Sequence, residues 1–272
     1  MRSRPNLTLP GDITIDRVII RGGRAPGVVD ALGTVFRAGE VVLSAGSYGS
    51  PAILMRSGVG PAEDLRALGI DVEADLPVGR RLQNHPFFHS FALTPDLQTL
   101  TSAFAAQPWL ASSEAQAGEL GRDIVATHLP DGSFSPTGGA IVLAAAVTRP
   151  ESHGSARLAS RDPYYAPVIN NNCPATARDR GRILEAVRLV RRLAGTAPLT
   201  GALAAELVPG DAVRTDDELE AAIAAGIATY GHPTSTAPTG GPSDEWAVSR
   251  TSRPPSRTAS PWPPATGRRY GP

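Results

Sequence analysis

The sequence predicts an α/β (α+β) chain: part of a three-layer α/β domain joined to a mostly antiparallel sheet. Three observations predict it. Residues 40–57 pass from a short, continuously apolar run through glycines into a helix start. Strand-like runs FHSFAL (88–93), DIVATHL (123–129) and GAIVLAAAV (139–147) follow, separated by polar connectors. Residues 176–193 then carry Ile183, Leu184, Val187, Val190 and Leu193 at helical spacing.

Residues 13–20 (ITIDRVII) alternate and are β-branched, which predicts a strand. Gly22-Gly23 turns the chain, and 26–31 and 34–37 read as short hairpin strands. Residues 40–44 (EVVLS) read as a buried strand because they are short and almost wholly apolar. A glycine turn over 45–49 leads to Ser50-Pro51, where Ser suits a cap and Pro the first helical position. Gly58 and Gly60 end that helix, and 61–68 opens a second short one. HGSARLAS (153–160) reads as a further strand of the antiparallel sheet. Residues 216–227 form another helix, with acids in the first turn of TDDELE that suit the positive end of its dipole.

Composition narrows the function classes. The chain has 272 residues, enough to remove about 75% of its unfolded surface from water. Every basic residue is Arg, and 26 basic residues balance 26 acidic ones. Zero net charge argues against a nucleic-acid or membrane-surface partner. No run approaches the roughly 18 apolar residues of a membrane span. The single cysteine, Cys173, excludes an internal disulfide. With no secretory leader in MRSRPNLTLPGD, a reducing, cytoplasmic location is expected. His89, His128 and His153 lack metal-ligand spacing, so no metal site is expected and they read as surface or sheet residues.

Strand, glycine turn and helix N-terminus together make a crevice for an anionic nucleotide. The full string SAGSYGSPAILMRSGVGP is more specific: it resembles the second signature of the glucose–methanol–choline (GMC) oxidoreductases. RPNLTL, ITIDRVII and RAPGV before it, and LPVGRRLQNHP, DPYYAPVINNN and YGHPTSTAPTGG after it, resemble further blocks in the family's order. The resemblance implies FAD as cofactor and a small-molecule alcohol as substrate, oxidised at its CH–OH group by hydride transfer. It also implies His232 as the catalytic base, a role that a neutral imidazole can fill. Ala45 and Gly46 would lie beside the flavin or its diphosphate, and Ile15 near the adenine. The His232 loop departs from the commoner form HPVGTCRMG at Ser235, Ala237, Pro238 and Thr239. Asn84 stands where QDHP has an acid, and His85 reads as structural.

The same resemblance divides the chain. Residues 1–87 become the C-terminal part of a FAD-binding domain, and 88–175 a substrate domain. Residues 176–248 supply helices and the active-site loop. Eighteen of the 24 residues from Ser249 onward are Arg, Pro, Ser or Thr, so 249–272 is expected to be disordered. A reading-frame shift near Val248 is the expectation for that tail. No GxGxxG turn occurs, so an incomplete enzyme is expected, neither holding FAD tightly nor turning over alone. Two other readings stay open: a non-catalytic binding or interaction module, and an enzyme completed in trans by a chain bearing the N-terminal FAD domain.

Overall fold

The computed structural model describes residues 4–88, 90–93, 109–113, 115, 122–129, 140–237, 239–241 and 244–247. The predicted strand and hairpin form an antiparallel meander of β1 (Ile15–Arg21), β2 (Arg24–Asp30) and β3 (Val35–Arg37). Gly22 and Gly23 both take positive φ, the turn geometry that fits a right-twisted hairpin. At the second turn the buried Asp30 carboxylate accepts hydrogen bonds from the amides of Leu32 and Thr34 at 2.9 and 2.7 Å. The tail 249–272 lies outside the described residues.

Residues 40–44 are not a strand. They run as an irregular segment in which Val42 is 78% exposed. A parallel strand exists only through its ladder partners, and no described element lies alongside this run to pair with it. The following helix, α1 (Gly46–Arg56), starts five residues earlier than Ser50-Pro51 suggested. Ser50 is therefore interior, its hydroxyl accepting from the Ala45 amide at 3.0 Å, and Pro51 sits in mid-helix.

Beyond α1, β4 (Val59–Gly60), α2 (Ala62–Ala67) and β5 (Ala74–Asp75) form a small parallel crossover. Met55, Val59, Leu65, Ile70 and Val78 bury their side chains together here. Gly79 closes this unit against a later segment. A Cβ at Gly79 would lie 2.0 Å from the Ala156 carbonyl oxygen, and its φ is 79°, so glycine alone fits.

The larger sheet holds β6 (Pro86–Phe88), β7 (Ser90–Leu93), β8 (Trp109–Leu110), β9 (Arg122–Leu129) and β10 (Ala140–Ala146). β10 is its axis, pairing with β9 on one side and with β6 and β7 on the other, all antiparallel. Among the described residues, β11 (Ser155–Arg157) and β12 (Val168–Asn170) pair only with each other. The HGSARLAS strand thus does not join the large sheet. The Ala156 amide is held by the Gly79 carbonyl at 2.8 Å, which draws it toward α1 instead.

Next come α3 (Ala177–Ala194), α4 (Leu199–Ala202) and β13 (Leu203–Val208). Then follow α5 (Asp216–Gly226), β14 (Ala228–Thr229), β15 (Thr239–Gly241) and β16 (Asp244–Ala247). β13 joins the large sheet beside β7 and β14 beside β6, giving seven strands. Both predicted helices form. Thr176 caps α3 and a Thr215–Glu218 capping box opens α5. Ile183, Val187 and Val190 are fully buried against Phe88, Leu143, Ala145 and Val147 of the sheet region. Covering the sheet with this helix removes both apolar faces from water, which is the main driving force for the arrangement.

Candidate active site

His232 lies in the loop after β14, and its position is set by backbone bonds to the segment before β6. Gln83 and Thr234 form a two-way bridge, with N···O distances of 3.1 and 2.9 Å. The Tyr230 amide donates to the His85 carbonyl at 2.9 Å, and the Gly79 amide to the Thr236 carbonyl at 2.7 Å. Residues 79–85 and 230–236 are thus clasped along their lengths.

Asn84 is the centre of this clasp. It is 2% exposed, and its Oδ1 accepts from the amides of both His85 and His232 at 3.0 Å each. Its Nδ2 donates to Asn171 Oδ1 at 3.4 Å. A carboxylate here could accept from the two amides but could not donate to Asn171. The uncharged residue therefore suits a site where no cation reaches position 84 among the bonds described.

His85 and His232 are each followed by proline, which favours extended backbone before it. Their rings meet with Nδ1 atoms 3.3 Å apart and centroids 5.2 Å apart, edge to face. Tyr230 lies on another side of His232 at 4.7 Å and stacks on Phe87 at 4.9 Å. His232 itself is exposed and His85 half-buried.

The same loop grips the start of α1. The Ser47 hydroxyl donates to the Pro233 carbonyl, and the Thr236 hydroxyl donates to the Ser47 carbonyl at 2.6 Å. Ala45 and Gly46, next in sequence to Ser47, are thereby brought to the neighbourhood of His232. Both are exposed, and α1 has neither a side-chain cap at Ala45 nor an acid in its first turn. Its leading amides are free of side-chain competition, so the helix end favours an anion. Gly46 takes φ 77° with nothing within 4 Å of a Cβ position, leaving room for a bound group. These residues fit the phosphate or ring edge of a flavin dinucleotide.

Ile15 is elsewhere. It lies at the opposite end of α1, about 15 Å away by helix rise. There Arg56 reaches the Asp16 carbonyl at 2.9 Å, Asp16 Oδ1 at 3.0 Å and the Ile15 carbonyl at 3.5 Å. Burial pulls the Arg56 guanidinium below its ordinary value, and Asp16 opposes that pull. The four expected site residues therefore mark two ends of one helix.

The sequence reading took His85 as structural, noted Asn84 only as a departure from QDHP, and did not single out Ser47 or Thr236. The repeated His-Pro pair was a signal for His85. Ser47 and Thr236 carried none, since they meet across 189 positions.

Two family profiles, both described as GMC oxidoreductase, match residues 1–87 and 150–253. The chain belongs to the GMC oxidoreductase family. Among curated proteins it is 31% identical over 277 residues to an oxygen-dependent choline dehydrogenase of Sinorhizobium medicae, covering 90% of this chain and 50% of that one. Among solved structures it is similar to pyridoxine 4-oxidase from Mesorbium loti, with a TM-score of 0.76 and 25% identity over 91% of this chain and 51% of that one. A FAD-dependent oxidoreductase from Chaetomium thermophilum shares the fold, with a TM-score of 0.69 and 20% identity over 87% of this chain and 53% of that one. The chain spans about half the length of the curated relatives it matches. FAD is the cofactor of this GMC family.

Proposed function

We propose that this GMC chain is part of a FAD-dependent oxidoreductase acting on the CH–OH group of a small alcohol, with His232 as the base. One observation carries the reading: Ser47 and Thr236 tie the loop bearing His232 to the uncapped start of α1. A proton acceptor and an anion-binding helix end are thus neighbours. In the reaction the substrate O–H bond breaks, its proton passes to a ring nitrogen of His232, and the electron pair stays on oxygen. FAD, when bound, supplies the acceptor for hydride from the carbinol carbon. Ala45 and Gly46 would hold its anionic edge and Ile15 its adenine.

Choline, named for the relatives, is the first alcohol to test. A quaternary ammonium is drawn to aromatic faces, and the stacked Phe87–Tyr230 pair stands beside His232. The exposed Ala45, Gly46 and Val42 support a further part of the reading, that this chain alone holds FAD weakly and needs additional elements to complete the crevice. A cytoplasmic location goes with the single cysteine.

The test is FAD titration of the chain alone and mixed with the N-terminal FAD domain of a family relative, then anaerobic addition of choline and other small alcohols. Flavin bleaching in the mixture, slowed by about 10²–10⁴ in His232→Gln with FAD still bound, is expected. Bleaching that His232→Gln leaves unchanged would overturn the assignment of the base, and absence of bleaching in every sample would overturn the reaction.

A further inference from the structure

We infer that His85 is a positioning residue for His232: it accepts a hydrogen bond at Nδ1 from the Nδ1–H of His232 and so leaves Nε2 of His232 bare to receive a proton. The inference rests on the reading of His232 as the base, and deepens it.

A neutral imidazole carries one ring proton, on one of its two nitrogens. The two Nδ1 atoms stand 3.3 Å apart, so one ring must donate there and the other accept. The two rings are therefore bound to opposite tautomers, one protonated at Nδ1 and the other at Nε2. The backbone prevents either ring from drifting out of this relation. Both amides end on the same Asn84 Oδ1, and the His85 carbonyl is held by the Tyr230 amide.

The place of the two rings decides which one donates. His85 occupies the Nδ1 side of His232, which is otherwise exposed, so Nε2 is the nitrogen open to an incoming hydroxyl. A base that takes its proton at Nε2 must carry its own ring proton at Nδ1. An imidazolium donates from both nitrogens. The shared bond therefore keeps one direction, from His232 to His85, before and after proton uptake only if neutral His232 already carries its proton at Nδ1. Proton arrival at Nε2 then needs no ring flip and no second transfer. Tyr230 is the one other titratable side chain that the described contacts bring against the His232 ring. It lies edge to face and offers no competing acceptor to Nδ1 in those contacts.

Nitrogen-15 spectroscopy of histidine-labelled chain, at a pH where both rings are neutral, reads the tautomers directly and requires no flavin. His232 is expected as the Nδ1–H form and His85 as the Nε2–H form. In His85→Asn the side-chain oxygen occupies the place of Nδ1 and should keep His232 in the Nδ1–H form. In His85→Phe, with folding verified by the backbone amide spectrum, His232 should pass mainly to the Nε2–H form. A wild-type His232 protonated at Nε2 overturns the inference, and so does a tautomer indifferent to His85→Phe. If His85→Phe fails to fold, the wild-type and His85→Asn spectra decide. These outcomes are separable from the proposed reaction, since tautomers are read without alcohol or FAD.

Discussion

Thr236 supplies to Ser47 the hydrogen bond that Pro51 withholds. In an α-helix the Ser47 carbonyl would accept from the amide four residues later, and Pro51 has none. The Thr236 hydroxyl, on a residue 3% exposed, takes that place at 2.6 Å. A proline that breaks a local rule thus creates the acceptor through which α1 holds the His232 loop.

Removing that donor leaves a carbonyl with neither helix nor side-chain partner. Thr236→Val should destabilise the chain by about 1–3 kcal/mol, whereas Thr236→Ser should cost less because the hydroxyl remains. Urea denaturation midpoints measure both. Equal stability of the Val and Ser variants would show that the bond contributes nothing net.

Ser235 stands where the commoner HPVGTCRMG loop has glycine, and it takes φ 65°, the left-handed region. That conformation costs a non-glycine residue about 1–2 kcal/mol. The Ser235 hydroxyl offsets part of it by donating to Gln83 Oε1 at 3.2 Å. Ser235→Ala keeps the strain and loses the bond, so it should destabilise. Ser235→Gly loses the bond and the strain together, and should lie closer to the parent. The order parent, Gly, Ala in thermal midpoint is expected; Ala above Gly would contradict it.

Asp179 is fully buried near the start of α3 and serves four groups. It accepts from the amides of Glu151 and Ser152 at 3.1 and 2.7 Å and from the Ser152 hydroxyl at 2.5 Å, with Arg182 at 4.0 Å. Asp179→Ala would strand those donors and remove the charge that faces the buried guanidinium, which keeps its bond to the Arg149 carbonyl at 2.9 Å. A loss of about 3–5 kcal/mol is expected, read from chemical denaturation. A loss under 1 kcal/mol would mean that the segment over 149–152 rearranges to satisfy itself.

Burial pushes the Cys173 thiol up from 9.0 to about 12, and the charge of Asp179 adds to the shift. The folded chain keeps this proton while the unfolded chain loses it, so stability falls as pH rises through the window from 9 to 12. Below pH 9 the contribution is fully present. Cys173→Ala should lack this part of the alkaline decline, measured as the difference between the two denaturation curves. Native Cys173 should also resist iodoacetamide at pH 8 and react after unfolding. Fast alkylation of the native protein would contradict the assignment.

Much of the fold was legible because its signals are local. The apolar spacing of Ile183, Val187 and Val190 fits one helix face whatever it packs against. Gly22-Gly23 and the acids of TDDELE mark a turn and a helix start within a few residues. The failures share one physical cause. Residues 40–44 look like a strand by composition, yet a strand needs a neighbour that composition does not reveal. Ser50-Pro51 looks like a helix start, yet the earlier start at Gly46 goes with contacts made by Thr236 and Pro233. HGSARLAS contains a strand, but its partner is β12 rather than β10.

Short-range chemistry is thus what the sequence determined by itself: the periodicities and glycine turns, and a family likeness strong enough to single out His232, Ala45, Gly46 and Ile15. Tertiary structure decided which of these meet. It separated Ile15 from Gly46 by the length of α1, set His85 against His232, and hung His232 on Asn84. The reason is that each of those relations is a hydrogen bond or ring contact between segments 40 to 189 positions apart. Their geometry depends on how the sheet and α3 pack, which no local spacing of residues encodes.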